Sequence, residues 1–258
     1  MKKTWLSYVN LSDHYERKAR FLPAVLSVLP LLPVSAAFGA PLMEWVKVVA
    51  AGVGLGAILA VALSHVASAA GNRLQEALWP DWPHDAPTNR WLHPDDKSVS
   101  TQQKQRWYGT IRSMLGLDIQ AAVDAGDAGE LKAVINDAVQ ALRNRLWQAA
   151  KAERMRLHNV DYGFARNLAG LRWVWGIFAL ASLAGCWSAF VWYDRPILWA
   201  LTSTIIALCA LALAVILPRY VRRKAHYYAE SFFEAAVALG EESAKNSTPS
   251  EGEKSCQS

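Results

Sequence analysis

The chain has 258 residues, 53% of them hydrophobic and 19% charged, with a formal net charge of +5. A water-soluble domain usually carries about 25% charged residues, so this composition argues against an ordinary globular protein. Three cysteines without metal or redox spacing exclude a disulfide framework.

The charge deficit is local. Phe21–Ala40, Val48–Ala70, Trp173–Trp192 and Ile197–Leu217 hold almost no ionisable side chains. Each is close to the ~20 residues that cross a ~30 Å hydrocarbon core. A segment in lipid must satisfy its own backbone hydrogen bonds, so each is expected to be a helix. Basic residues set the direction. Lys2, Lys3, Arg17, Lys18 and Arg20 precede the first span, and Arg73 and Arg90 follow the second. Arg154, Arg156, Arg166 and Arg172 precede the third, and Arg219, Arg222, Arg223 and Lys224 follow the fourth. The short connections hold only Lys47 and Arg195. The positive-inside rule then puts both termini and the middle of the chain in the cytoplasm. The expected location is a bacterial inner (cytoplasmic) membrane, crossed several times.

The predicted organisation is all-α, an integral membrane protein with four transmembrane helices in two hairpins. Residues 1–20 form a cytoplasmic amphipathic helix and 21–70 the first hairpin. Residues 71–170 form a cytoplasmic helical domain and 171–217 the second hairpin. A cytoplasmic helix over 218–243 and a disordered tail over 244–258 complete the chain. Val34-Ser35-Ala36-Ala37-Phe38-Gly39-Ala40 imitates a signal-peptide cleavage region. Asp13 and Glu16 upstream, and Pro41 just after the site, favour an uncleaved span.

Within the first span, Pro30 and Pro33 each remove an intrahelical hydrogen bond and bend the axis, which makes them candidate gating positions. In the second span Gly52, Gly56, Ala60, Ser64 and Ser68 form a ladder of small side chains. Such a ridge lets another helix approach closely. His65, near the inner end, is the one titratable side chain well inside a span and a further gating candidate. Its bland alternative is a histidine bonded to a neighbouring helix.

The middle region opens with Leu78–Asp96, where Pro80, Pro83, Pro87 and Pro94 alternate with Trp79, Trp82 and Trp91. An ordered, extended segment is expected there. His84, Asp85, His93, Asp95 and Asp96 lack the spacing of a helix-borne metal motif, and no metal is assigned. Ser98 or Ser100 caps a helix that runs to Leu115 and stops at Gly116. Asp127 with Glu130 resembles a capping box and opens a long helix to about Leu157. Arg154, Arg156, His158, Arg166 and Arg172 then crowd the entry to the third span. Arginine forks suit phosphate, so these are candidate contacts for lipid headgroups or for a phosphorylated small-molecule signal.

In the third span Ala181, Gly185 and Ala189 make a second small ladder, the expected partner of the first, alternatively of a second subunit. Trp173, Trp175 and Trp192 fit interfacial belts. Thr202, Ser203 and Thr204 are expected to bond back to their own helix, and Pro218 to close the fourth span. A cytoplasmic helix follows it.

Nothing catalytic stands out. There is no GxxxxGK[ST] loop, no GxGxxG after a strand, no HExxH and no GxSxG. The 71–170 region balances thirteen basic against twelve acidic residues, so specific nucleic-acid binding is not expected. The expectation is a non-enzyme without cofactor or metal, in contact with membrane lipid. Homo-oligomerisation and a cytoplasmic protein partner are the associations it suits.

Leu11-Ser12-Asp13-His14-Tyr15-Glu16-Arg17-Lys18-Ala19-Arg20 leads into the first of two membrane hairpins separated by a helical middle. That layout resembles the four-span pore-forming effectors of bacterial antiphage defence systems. The resemblance implies an oligomeric membrane effector that responds to a nucleotide signal, and it carries over no functional residue. The alternative is a non-catalytic membrane scaffold that anchors a cytoplasmic partner.

Overall fold

A computed structural model describes residues 15–39 and 53–247. Every regular element among them is helical. A π-helical turn over Glu16–Phe21 leads into α1 (Leu22–Val28), and a 3₁₀ turn over Leu29–Leu31 separates it from α2 (Leu32–Phe38). Then come α3 (Val53–Leu78), α4 (Pro87–Arg90), α5 (Thr101–Leu115) and α6 (Ile119–Ala125). The chain continues as α7 (Ala128–Gln148), α8 (Glu153–Gly170), α9 (Arg172–Tyr193) and α10 (Ile197–Ser247).

Among the described residues, three helices are long and apolar enough to cross a membrane: Glu16–Phe38, Arg172–Tyr193 and Ile197–Lys245. Four were expected. The second expected span begins outside the described residues, which resume as helix at Val53. Pro30 and Pro33 sit where the first span tightens into its 3₁₀ turn, the local answer to their missing N–H groups.

The chain divides into two compact units. The first comprises Met1–Leu78 and Val160–Lys224, the second Trp79–Asn159 and Ala225–Ser258. In the first unit the proline-containing span is central. Its early part packs on α3, and α9 runs along α1, the 3₁₀ turn and α2. The buried side of α9 is Trp175, Ala179, Ser182, Cys186 and Ala189, a three-four spacing that keeps one face inward. Ala37, Cys186, Ala189 and Ala200 form a tight apolar cluster beneath it.

In the second unit α5, α6, α7 and the later part of α10 enclose one hydrophobic core. Leu142, Leu146, Met155, Ile111 and Phe232 are buried at its centre. Trp107 stacks on Phe233 with ring centroids 4.0 Å apart. The expected caps are present. Ser100 accepts from the Gln103 amide, Gly116 takes the left-handed conformation with φ 72°, and Asp127 accepts from the Gly129 and Glu130 amides.

Several expectations need correction. The helix opened by Asp127 stops at Gln148 rather than near Leu157, because Ala149 turns extended. Arg156 Nη1 donates to the carbonyls of Trp147 and Ala149 and so caps that end. The helix after Arg195 does not close at Pro218 but runs through it to Ser247. Proline costs that helix one internal hydrogen bond, and the neighbouring Leu217 and Val221 stay buried. Leu78–Asp96 is not extended either. It coils through turns into α4, whose first residue is Pro87, the helical position where the missing N–H does no harm. Trp175, expected in an interfacial belt, is buried and donates its indole N–H to the Leu168 carbonyl.

Candidate functional site

Two polar constellations stand out, one in each unit. The first is a cleft of ≈ 250 Å³ lined by the 81–96 segment and by Lys132 and Ile135 of α7. Lys132 Nζ is 2.6 Å from the Asp81 carboxylate, and Arg90 Nε is 2.8 Å from that of Asp96. The hydrogen bond from Lys132 holds the Asp81 carboxyl below its ordinary range. Partial burial pushes the Asp96 carboxyl upward, but hydrogen bonds from Ser98 and Arg90 outweigh it and leave Asp96 lowered. The Asp95 amide donates to His93 Nδ1. Asn89, almost fully buried, donates to the Asn136 side chain. His84 Nδ1 is buried with no hydrogen-bond partner.

Lys104 explains how this segment is held, and the sequence reading missed it. Its ammonium is buried and donates to the carbonyls of His93, Pro94 and Asp96, replacing water for a turn that has no helix or sheet of its own. Tyr108 donates to the Leu92 carbonyl from below, and burial pushes its phenol up to about 12. The only prior signal was spacing: Lys104 and Tyr108 lie four apart on one face of α5. No group of three His, Cys, Asp or Glu among the described residues could hold a metal ion. The carboxylates of Asp81 and Asp96 are engaged in ion pairs, which suits turn-building better than proton transfer.

The second constellation gathers at the charged ends of the apolar helices. Asp161 of α8 receives Lys18 and Lys224, each at 2.9 Å. Partial burial raises the Asp161 carboxyl, but the hydrogen bonds from the two lysines more than reverse that and hold it below its ordinary value. Six residues further on, fully buried Asn167 donates to the Ala19 carbonyl at 2.7 Å. Gln75 Oε1 accepts from both Tyr162 and Arg166. Three glycines let the backbones meet here. A Cβ on Gly170 would lie 2.5 Å from the Ala70 backbone, one on Gly163 3.0 Å from Ala19 Cβ, and one on Gly71 inside the Asn167 side chain.

The predicted site residues fall as follows. Gly52 lies outside the described residues, and Gly56 and Ala60 are helical. Ser64 is buried and Ser68 half-buried on α3. Of the second ladder, Ala181 is exposed, while Gly185 meets Val34 and Phe38 of the first span and Ala189 is buried beside Ala37. Among the described residues, the Gly185–Ala189 part of the third-span ridge is seated on the first span. His65 is exposed on α3. The hydroxyls of Thr202, Ser203 and Thr204 do bond back to their own helix, on the Leu198 and Ala200 carbonyls.

The arginines do not form one cluster with free donors aimed at a shared point. Arg154 pairs with Glu234 at 2.9 Å, and Arg156 caps α7. Arg166 serves Gln75 and Asn167. Arg172 bonds the Ala169 carbonyl and lies over the Trp173 ring. His158 Nδ1 is buried without a hydrogen-bond partner, its ring edge-on to Tyr227.

No protein-family model, curated protein or solved structure matches the chain. The likeness to the four-span effectors therefore rests on layout alone.

Proposed function

We propose that the chain is a four-span helical protein of a bacterial inner membrane that self-associates and acts on the membrane itself. Both termini and the 79–159/225–247 helical unit face the cytoplasm in this reading. That unit receives a signal and alters the packing of the spans, which opens a pore or perturbs the bilayer. One observation carries the reading. The single helix α10 contributes buried Ala200, Ser203 and Val221 to the apolar unit, and buried Phe232, Phe233 and Ala236 to the core of the other. A change in the second core therefore acts on a helix that is also a span. The proline turn of the first span, in contact with α9, is the element such a shift would bend.

The reading is tested by expressing the protein while following membrane potential with a voltage-sensitive dye. Depolarisation is expected. Gly56→Leu, which spoils the ladder of the second span, should abolish it, and a strictly monomeric protein in mild detergent would sink it. The second reading, a scaffold, draws on a groove of ≈ 500 Å³ between α5 and α10, lined by Trp91, Trp107 and Phe233 and rimmed by Glu230 and by Glu234 and Glu241, which pair with Arg154 and Arg106. Harmless expression together with stoichiometric co-purification of a cytoplasmic protein would favour it.

A further inference from the structure

We propose that the groove between α9 and the first half of α10 holds one acyl chain of an anionic phospholipid, with the lipid phosphate on Arg172. The proposal rests on the membrane placement proposed above. The groove encloses ≈ 330 Å³, and its lining is apolar apart from Arg172 at one end and Thr204 at the other. Thr204 is already satisfied, donating to Ala200 and accepting from the Trp187 indole.

Its floor has a simple origin. Gly176, Ala179 and Leu183 on α9, and Ala207, Ala210 and Ala214 on α10, each repeat at i, i+3, i+7 and so share one helix face. Mostly small side chains along both antiparallel helices leave a trough where larger ones would interlock. Exposed Ile177 and Leu180 on one side and Leu208 and Leu211 on the other make its lips.

Length and width select the occupant. From Arg172 to Leu183 is eleven residues, or ~16 Å at ~1.5 Å per residue. One leaflet of a ~30 Å hydrocarbon core is ~15 Å deep. The trough therefore runs from the headgroup level to the bilayer centre, the course of a single acyl chain. The trough is also narrow, floored by Gly176, Ala179, Ala207 and Ala210 between the lips at Ile177 and Leu180 and at Leu208 and Leu211, which suits a single chain.

Charge selects the headgroup. Arg172 opens α9 at the foot of the groove, and the preceding Leu171 provides no side-chain cap. One guanidinium donor serves the Ala169 carbonyl at 3.2 Å, and the plane rests 5.4 Å over the exposed Trp173 ring. The remaining donors match a phosphate fork.

The test is native mass spectrometry of protein released from vesicles of equal phosphatidylglycerol and phosphatidylcholine. The wild type should retain one phospholipid, phosphatidylglycerol over phosphatidylcholine by about tenfold, as one charge-assisted contact implies. Arg172→Gln should retain one phospholipid without preference. Gly176→Leu fills the trough from a position where an added Cβ meets nothing within 4 Å, so it folds and should retain none. Wild type without a retained lipid or without headgroup preference overturns the proposal. So does Gly176→Leu with undiminished lipid, or with unchanged lipid but a lost dimer, which would seat a second copy there. Protein absent from carbonate-washed membranes would overturn the membrane reading as well. Protein present there but bare of lipid overturns this proposal alone.

Discussion

Gly170→Ala tests whether the approach of α3 and α8 is as close as described. The added methyl would sit 2.5 Å from the Ala70 carbonyl carbon and the Gly71 nitrogen, where ordinary contact begins at 3.4 Å. The two backbones must separate by ~0.9 Å, the difference between these distances. The obstacle is backbone and cannot rotate aside, so the upper end of the overpacking range applies, about 3 kcal/mol. Alanine's better helix propensity returns about 1 kcal/mol. A net loss of about 2 kcal/mol follows, or a fall of about 4–8 °C in apparent melting temperature for a chain of this size. Gly109→Ala is the matched control. Its added Cβ meets nothing within 4 Å on the exposed side of α5, so only the propensity gain acts. It should raise stability by up to about 1 kcal/mol. Far-UV circular dichroism melts in one detergent measure both. Equal shifts of the same sign would refute the close-crossing argument.

Asp161→Asn removes the carboxylate shared by Lys18 and Lys224. These lysines hold its pKa below the ordinary 3.8 in the folded chain, so its contribution is present above that value and is lost as pH falls through the folded one. The pairs are partly exposed and contribute about 1 kcal/mol at most. The variant should melt earlier than wild type at pH 7, and the gap should close as pH falls below 3.8 and through the lower folded value; a gap constant with pH would count against the ion pairs. Lys104→Met strips three carbonyls of their donor and should cost about 2 kcal/mol, with faster amide exchange confined first to residues 93–98. Trp107→Ala opens the stacked core against Phe233 and should cost about 3–5 kcal/mol, with loss of near-UV ellipticity. Unchanged near-UV spectra would show that the stack is not formed.

Much of this molecule is local and was legible in sequence. The apolar runs are long enough to show against a charged background, because lipid-length segments tolerate few ionisable groups. Ser100, Gly116 and Asp127 announced helix ends through side chains that act on their own backbone. Thr202, Ser203 and Thr204 behaved as hydroxyls in an apolar helix do. What tertiary structure decided is pairing. Small ladders say that a close neighbour exists but not which one; among the described residues the Gly185–Ala189 edge meets Val34, Phe38 and Ala37 of the first span. The crossing of α3 and α8 uses Gly71 and Gly170, glycines too far apart in the chain to read as one motif, while Gly163 meets Ala19 of the first span. Pro218 failed to end its helix and Ala149 ended another. A proline's cost can be offset by packing on both sides of it, while the turn at Ala149 depends on Arg156, seven residues on. Adjacency in sequence counts charges, not partners; only the fold shows that Arg154, Arg156 and Arg166 are engaged by a carboxylate, carbonyls and side-chain amides, while Arg172 keeps donors beyond its bond to the Ala169 carbonyl.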